Sequence, residues 1–410
     1  MDSPASRGLV ARIAEDTWFW SVVTILFCFV SILKGLRLPN LWAATQANLD
    51  YDQGFIKRGL FGQVAHSLGI PIVHYQVFVL FSGLLLLILA ALLGWWVSRS
   101  GARRLGNGVV VAVFSASYIV TYLTQLAGYL EIPLAALALV ALSTSALGGR
   151  LTGVLIAAAL GVLIHESYVL TFLPMTLLPA FLAAFDSRRP LRAVAPIAAV
   201  VAVIVLVLLL TALAAPMTVQ RASGLQAAMA ATVDFPTRGD FFPVLTRSAA
   251  DNMAIMMKTM SSGLWWLAQL NAFVTFMPTA AFFLWIALDI VDTRGDPEPQ
   301  RLAVKAAVVS AGLCPLSMQL FGYDIYRWYA LAAFSSFVSM TVVCNRYGVP
   351  PASIRSGALR NLGMLLIAIN MAAGTGLFDG SRVDTFPFVD FWRSVIRLIG
   401  AGGHFPQPAA

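Results

Sequence analysis

Charge is what this 410-residue chain has least of: Asp, Glu, Lys and Arg make up 11% of it, where soluble proteins carry about 25%. With 59% hydrophobic residues and a mean hydropathy of +0.81, that deficit excludes an ordinary soluble fold. Cysteine is also scarce. Cys28, Cys314 and Cys344 lie within or at the edge of apolar runs and show neither metal-ligand spacing nor a disulfide framework. His165-Glu166 is followed by Val169, not by a second histidine four residues on from the first, which sets aside a zinc-protease helix. No internal repeat of roughly 20–50 residues stands out, and no polar stretch is long enough to enclose a soluble core. The first apolar run follows Arg7 and Arg12 but is long and has no small-residue cleavage site, so it reads as a span rather than a removable leader.

What is present is a series of apolar runs long enough for a hydrocarbon core of about 30 Å. They predict an all-α polytopic membrane protein of about eleven spans (ten to twelve), at 17–33, 74–97, 108–127, 132–148, 151–166, 168–185, 193–215, 263–288, 303–321, 328–345 and 360–378. Runs 151–166 and 168–185 are each short for a full crossing. Reading them as one bent element would throw the later basic loops onto the wrong side, so two crossings are expected. Arg7, Arg12, Arg99, Arg103, Arg104, Arg150, Arg188, Arg189, Arg192, Arg294, Arg301, Lys305, Arg346, Arg355 and Arg360 then fall on one face, 15 of the 27 Lys and Arg. An excess of bases in short loops marks the cytoplasmic side, which puts the N-terminus there. The net charge of +8 is explained by topology and anionic lipid rather than by nucleic acid.

A single transmembrane domain, 1–378, is expected to carry two longer polar loops on the opposite face, 34–73 and 216–262, followed by an amphipathic tail, 379–410. In the first loop Ile56, Leu60, Val64 and Leu68 recur every fourth residue, with Phe61 beside them, which predicts a short interfacial helix. In the tail Phe388, Trp392, Val395 and Ile399 alternate with Asp390, Arg393 and Arg397.

Ionisable residues at membrane depth are costly and mostly functional, and here they converge on the non-cytoplasmic face. Asp50, Asp52, Lys57 and Arg58 lie in the first loop, in "NLDYDQGFIKRGLFG"; Glu131 lies in "AGYLEIP", His165 and Glu166 in "VLIHESYV", and Asp324, Arg327 and Trp328 in "LFGYDIYRWYA". Each also has a structural reading. Asp52 stands where an N-cap of the interfacial helix would stand, and Glu131, just before Ile132-Pro133, fits a solvated turn. His165 and Glu166 can pair to close two short helices, and Asp324 and Arg327 can form a local ion pair. Trp328 fits an aromatic belt, and His66, His74 and His404 read as interface residues.

Asp50-Tyr51-Asp52 in the loop after the first span, followed by an interfacial helix and many spans, resembles the GT-C superfamily of membrane glycosyltransferases. "GFIKRGLFG" (54–62), "HES" (165–167) and "YDIYRW" (323–328) also look like motifs of multi-spanning proteins from bacterial surface-polysaccharide clusters. The likeness implies a polyprenyl-(di)phosphate-linked sugar as donor, a glycan or lipid-linked acceptor, and an active face on the periplasmic side of the bacterial inner membrane. Asp50 or Asp52 would be the general base, with Glu166 a further catalytic carboxylate that orients sugar or acceptor together with His165. Lys57, Arg58 and Arg327 would hold phosphate, Glu131, Asp324 and Trp328 would contact sugar, and the three glycines of the quoted stretch would let backbone approach the ligand. It requires no particular cofactor and is compatible with a divalent cation, Mg²⁺ or Mn²⁺. The chain departs from many members in having no large C-terminal periplasmic domain and in the Gly-rich basic run after the Asp pair, which leaves room for an O-antigen- or capsule-type polysaccharide polymerase. A secondary transporter and a lipid-linked-glycan flippase are the readings from other classes. A transporter's charges lie near the midplane of repeated halves, whereas these lie at one face.

Overall fold

The computed structural model describes residues 17–52, 54–146, 151–186, 216–349, 356–372 and 389–402, with 198, 201–202 and 204–205. Every secondary-structure element among them is helical. The chain opens with α1 (Thr17–Gly35), two short loop helices α2 (Leu41–Ala47) and α3 (Leu60–Ser67), and the long α4 (Tyr75–Arg99). There follow α5 (Val109–Ala116), α6 (Tyr118–Gln125), α7 (Glu131–Ala146), α8 (Leu151–Ile164), the single turn α9 (Tyr168–Thr171) and α10 (Leu173–Asp186). The second half holds α11 (Val219–Thr232), α12 (Phe242–Leu245), α13 (Ala249–Met260), α14 (Gly263–Asp292), α15 (Glu298–Leu313), α16 (Ile325–Tyr347), α17 (Ser356–Ala372) and α18 (Val389–Gly400).

Five helical stretches are long and apolar enough to cross a membrane: Trp18–Gly35, Tyr75–Arg99, Gly263–Asp292, Glu298–Leu320 and Ile325–Tyr347. Glu131–Thr144, Leu151–Ile164, Leu173–Asp186 and Gly357–Ala372 are apolar but shorter. At 1.5 Å per residue the 14-residue α8 and α10 each reach only about 21 Å, short of the roughly 30 Å core. The expected third span is two helices, broken at Ser117, whose backbone is extended (φ −79°, ψ 158°). Its hydroxyl donates to the Phe114 carbonyl and accepts the N–H of Ile119, offering the backbone a local alternative to a continued helix. The expected seventh span, 193–215, lies almost wholly outside the described residues.

The core is built on α14 and α16, which pack along their length with Phe114 stacked on Phe337 at 4.0 Å and Phe283 beside it at 5.0 Å. Ser262 caps α14 through the N–H of Trp265, and Asn40 caps α2 through that of Ala43. Almost all of α16 is buried, so it is the inner helix and α1 and α4 present exposed Leu, Ile and Phe outward.

Beside this core lies a second, smaller one. Leu49 and Ile56 from the first loop pack with Ala222, Leu225, Met229, Phe241, Phe242 and Leu245 from the second. The N–H of Arg238 donates to Thr45 Oγ1 at 2.9 Å, and Asp234 accepts the N–H of Tyr75 at 2.8 Å, capping α4 from across the molecule. The two polar loops therefore form one cap over one end of the bundle.

The expected interfacial helix is present but shorter. It starts at Leu60 with Gly59 as N-cap and no side-chain cap bond, so Asp52 does not cap it and Ile56 lies before it. Gly62 and Ala65 face inward, while Val64 and Leu68 are exposed. The apolar stripe thus points away from the protein, as it would toward lipid. In the tail, α18 shows a similar exposed stripe of Val389, Trp392, Ile396 and Ile399; Phe388 lies outside the described residues.

Candidate functional site

The capped end of the bundle holds a cluster of charges drawn from four separate segments. Arg58 grips Glu166 with a two-point fork, Nη2 to Oε1 at 2.5 Å and Nε to Oε2 at 3.2 Å, across 108 residues of chain. Arg327 Nη1 donates to Glu131 Oε1 at 2.9 Å across 196 residues, and its Nη2 lies 3.3 Å from Asp324 Oδ2. The Arg327 guanidinium also sits over the rings of Tyr129 (4.8 Å) and Trp328 (5.7 Å), a cation–π seat that favours the planar guanidinium. Trp328 is fixed in turn by its indole N–H to the Gly322 carbonyl. Glu166 follows His165 directly in the turn before α9, so Arg58 is fastened beside the His165 ring.

The helix breaks that deliver these groups are local. α8 stops at Ile164, and His165 and Glu166 occupy the turn before α9. There the His165 Nδ1 accepts the N–H of Ser167 at 3.0 Å, so the ring proton sits on Nε2. Both oxygens of the Glu166 carboxylate are engaged by the Arg58 fork, which makes it a weak proton acceptor.

Glu131 opens α7 and is buried, not a solvated turn residue. Asp324 and Arg327 do pair locally, yet the closer partner of Arg327 is Glu131. Leaving either member of such a buried pair alone is costly, which is why both are present.

Asp50 and Asp52 form a second group. One carboxylate oxygen from each and a ring nitrogen of His66 fall within 4.8 Å of one another, with Asp52 and His66 exposed and Asp50 half-buried. Asp50 Oδ1 also accepts the N–H of Asp52 at 3.1 Å, a local turn bond. Two carboxylates and an imidazole form a mixed O/O/N set that suits Mn²⁺ better than Mg²⁺, which prefers oxygen and retained water. Lys57 is half-buried on the turn before Arg58.

Two of the three glycines of the quoted stretch, Gly59 and Gly62, are packed against the chain itself. A Cβ at Gly59 would meet the Tyr51 ring at 2.6 Å, and one at Gly62 would meet the Leu49 carbonyl at 2.1 Å. They admit the 49–51 segment and so fold the Asp50–Asp52 turn against the residue next to Arg58. Sequence reasoning passed over four residues here. His66 and His74 read as interface residues, yet His66 completes the Asp50/Asp52 group and His74 meets Asp234 at 3.1 Å. Asp234 and Tyr129 carried no motif, although Tyr129 stands two residues before Glu131 and its hydroxyl accepts the Asn40 amide at 2.7 Å. No family model, curated protein or solved structure matches the chain.

Proposed function

We propose that this protein is an integral-membrane glycosyltransferase of about eleven spans, moving a sugar or glycan unit from a polyprenyl-(di)phosphate donor to a glycan or lipid-linked acceptor at the periplasmic face of a bacterial inner membrane. The observation that supports this best is a rim arginine, Arg58, on the same folded loop as the carboxylates Asp50 and Asp52, at one end of an apolar helical bundle. In the reaction the acceptor hydroxyl oxygen bonds to the anomeric carbon as the bond from that carbon to the phosphate oxygen breaks. The hydroxyl proton goes to a base, and the electron pair stays on the phosphate.

Asp50 and Asp52 suit the base better than Glu166, because among the described residues no arginine fork holds either of them. Arg58, with Lys57 beside it, offers a fork matched to the leaving phosphate. Arg327, held by Glu131 and Asp324 between Tyr129 and Trp328, lies deeper and supports the floor on which sugar would rest; His165 adds a neutral Nε2–H donor. If a divalent cation takes part, Asp50, Asp52 and His66 would hold it, and it would neutralise phosphate charge. The test is to incubate purified full-length protein with a panel of polyprenyl-phosphate sugars and follow release of polyprenyl phosphate. Turnover with one donor, lost in Asp50→Asn or Asp52→Asn, supports the reading. Sugar-lipid movement across vesicles without cleavage would replace it with a flippase.

A further inference from the structure

The two ion pairs at the capped end differ in what can reach them. Arg327–Glu131 is sealed, with side chains 7% and 1% exposed, whereas Arg58–Glu166 lies at the rim, 14% and 38% exposed. A ligand arriving from the membrane surface meets the second pair first. Arg58 is also the one non-glycine residue with positive φ among the described residues, at +68°. Such a backbone is strained for arginine and persists only where its surroundings hold it. Its tether is the fork to Glu166, which sits on the turn between α8 and α9 and not within a helix.

A guanidinium fork fits a carboxylate and a phosphate in the same way, so both compete for the same two N–H groups. We propose that in the ligand-free protein Glu166 occupies the phosphate seat of Arg58, and that the phosphate of the lipid-linked donor displaces it, freeing the carboxylate to accept hydrogen bonds from the sugar hydroxyls. This rests on the glycosyltransferase reading above. The exchange makes and breaks no covalent bond. One anion replaces another beside Arg58, so the neighbouring Arg327–Glu131 pair keeps its balance of charge. The outgoing carboxylate acts as a hydrogen-bond acceptor for the sugar, which leaves proton removal to the first-loop aspartates.

The experiment titrates full-length protein in detergent with sugar-free polyprenyl phosphate, with polyprenol, and with inorganic phosphate. Glu166→Gln removes the competing charge but keeps the shape. It should bind polyprenyl phosphate about 10-fold tighter while transferring sugar at least about 10-fold more slowly, the scale of one charge-assisted hydrogen bond. Arg58→Gln should weaken the same binding by a similar factor. Tighter binding with slower transfer is a crossed signature that a merely structural ion pair does not produce. Unchanged or weaker phosphate binding in Glu166→Gln overturns the exchange. If that variant does not fold, Glu166→Asp, too short for the fork, should show tightening in the same direction, and its absence overturns the proposal equally. Inorganic phosphate binding as well as the lipid form overturns the lipid-linked source. Wild-type protein that binds polyprenyl phosphate no better than polyprenol removes the glycosyltransferase reading itself, a result distinguishable from failure of the exchange.

Discussion

The two ends of the helical bundle both carry arginine–carboxylate pairs, but they handle them in opposite ways. At the capped end Arg327 and Glu131 are buried almost completely. At the other end Asp186 is shared by Arg294 Nη2 at 2.8 Å and Arg346 Nε at 2.6 Å, while Asp292 meets Lys305 Nζ at 2.6 Å and Arg301 at 3.5 Å. Those side chains are between a fifth and almost a half exposed, and their contacts are duplicated. Exposed pairs contribute roughly 0–1 kcal/mol each, whereas breaking a buried one costs about 3–5 kcal/mol. A fold that needed charge merely to fasten its helices could use the exposed arrangement at both ends. The buried, aromatic-lined version at the capped end is costly to assemble, and such sites cluster where chemistry is done.

The largest effect that would sharpen this contrast is on chemistry. Asp50→Asn or Asp52→Asn should lower transfer by about 10²–10⁴ if one of them is the general base, with unfolding temperature nearly unchanged because Asp52 is exposed and asparagine at 50 keeps the oxygen that accepts the Asp52 N–H. The same exchange at Asp292 should leave transfer intact. Full activity in both first-loop variants would remove them as the base.

Glu131→Gln comes next, at about 3 kcal/mol of stability, because the buried Arg327 loses its closer carboxylate while Asp324 stays at 3.3 Å. Thermal unfolding in detergent measures it. A loss under about 1 kcal/mol, the exposed-pair range, would mean that the pair is solvated and the two ends are alike.

Much of this architecture is legible in apolar runs, because a span needs only composition and length. Long α4, α14 and α16 coincide with the expected spans to within a few residues. Breaks were harder to read. Nothing before Ser117 signals that its hydroxyl will bond the Phe114 carbonyl, since serine inside an apolar run is common. Pro315 does mark the change from α15 to a 3₁₀ turn at Cys314–Leu320, but the run of hydropathy hides it. In the site, costly residues such as Glu131, His165, Glu166, Asp324 and Arg327 announced themselves by their depth. Their partners did not. That Arg58 would meet Glu166 and Arg327 would meet Glu131 depends on how distant turns are brought together, which no local spacing encodes. His66 and Asp234 were missed because loop histidines and aspartates have an ordinary solvated role that fits equally well.

The smallest expected effect is the one that tests the comparison most directly. Asp186→Asn is the same chemical change as Glu131→Gln, a carboxylate made into an amide, at the opposite end of the bundle. Asp186 accepts from both Arg294 and Arg346, yet neither arginine depends on it alone. Arg294 keeps Asp296 at 2.8 Å and lies 3.7 Å over the Tyr347 ring, and Arg346 is exposed enough for water to solvate its charge. The amide oxygen of asparagine can still accept one of the two bonds. Removing the charge should therefore cost about 1 kcal/mol or less, with transfer rate and donor affinity unchanged, and added salt should shrink even that difference because exposed pairs are screened. Thermal unfolding of wild type, Asp186→Asn and Glu131→Gln side by side, at low and high salt, reads all of this at once. A loss at Asp186 equal to that at Glu131 and insensitive to salt would show that depth is not what distinguishes the ends, and the case for a specialised capped end would then rest on chemistry alone.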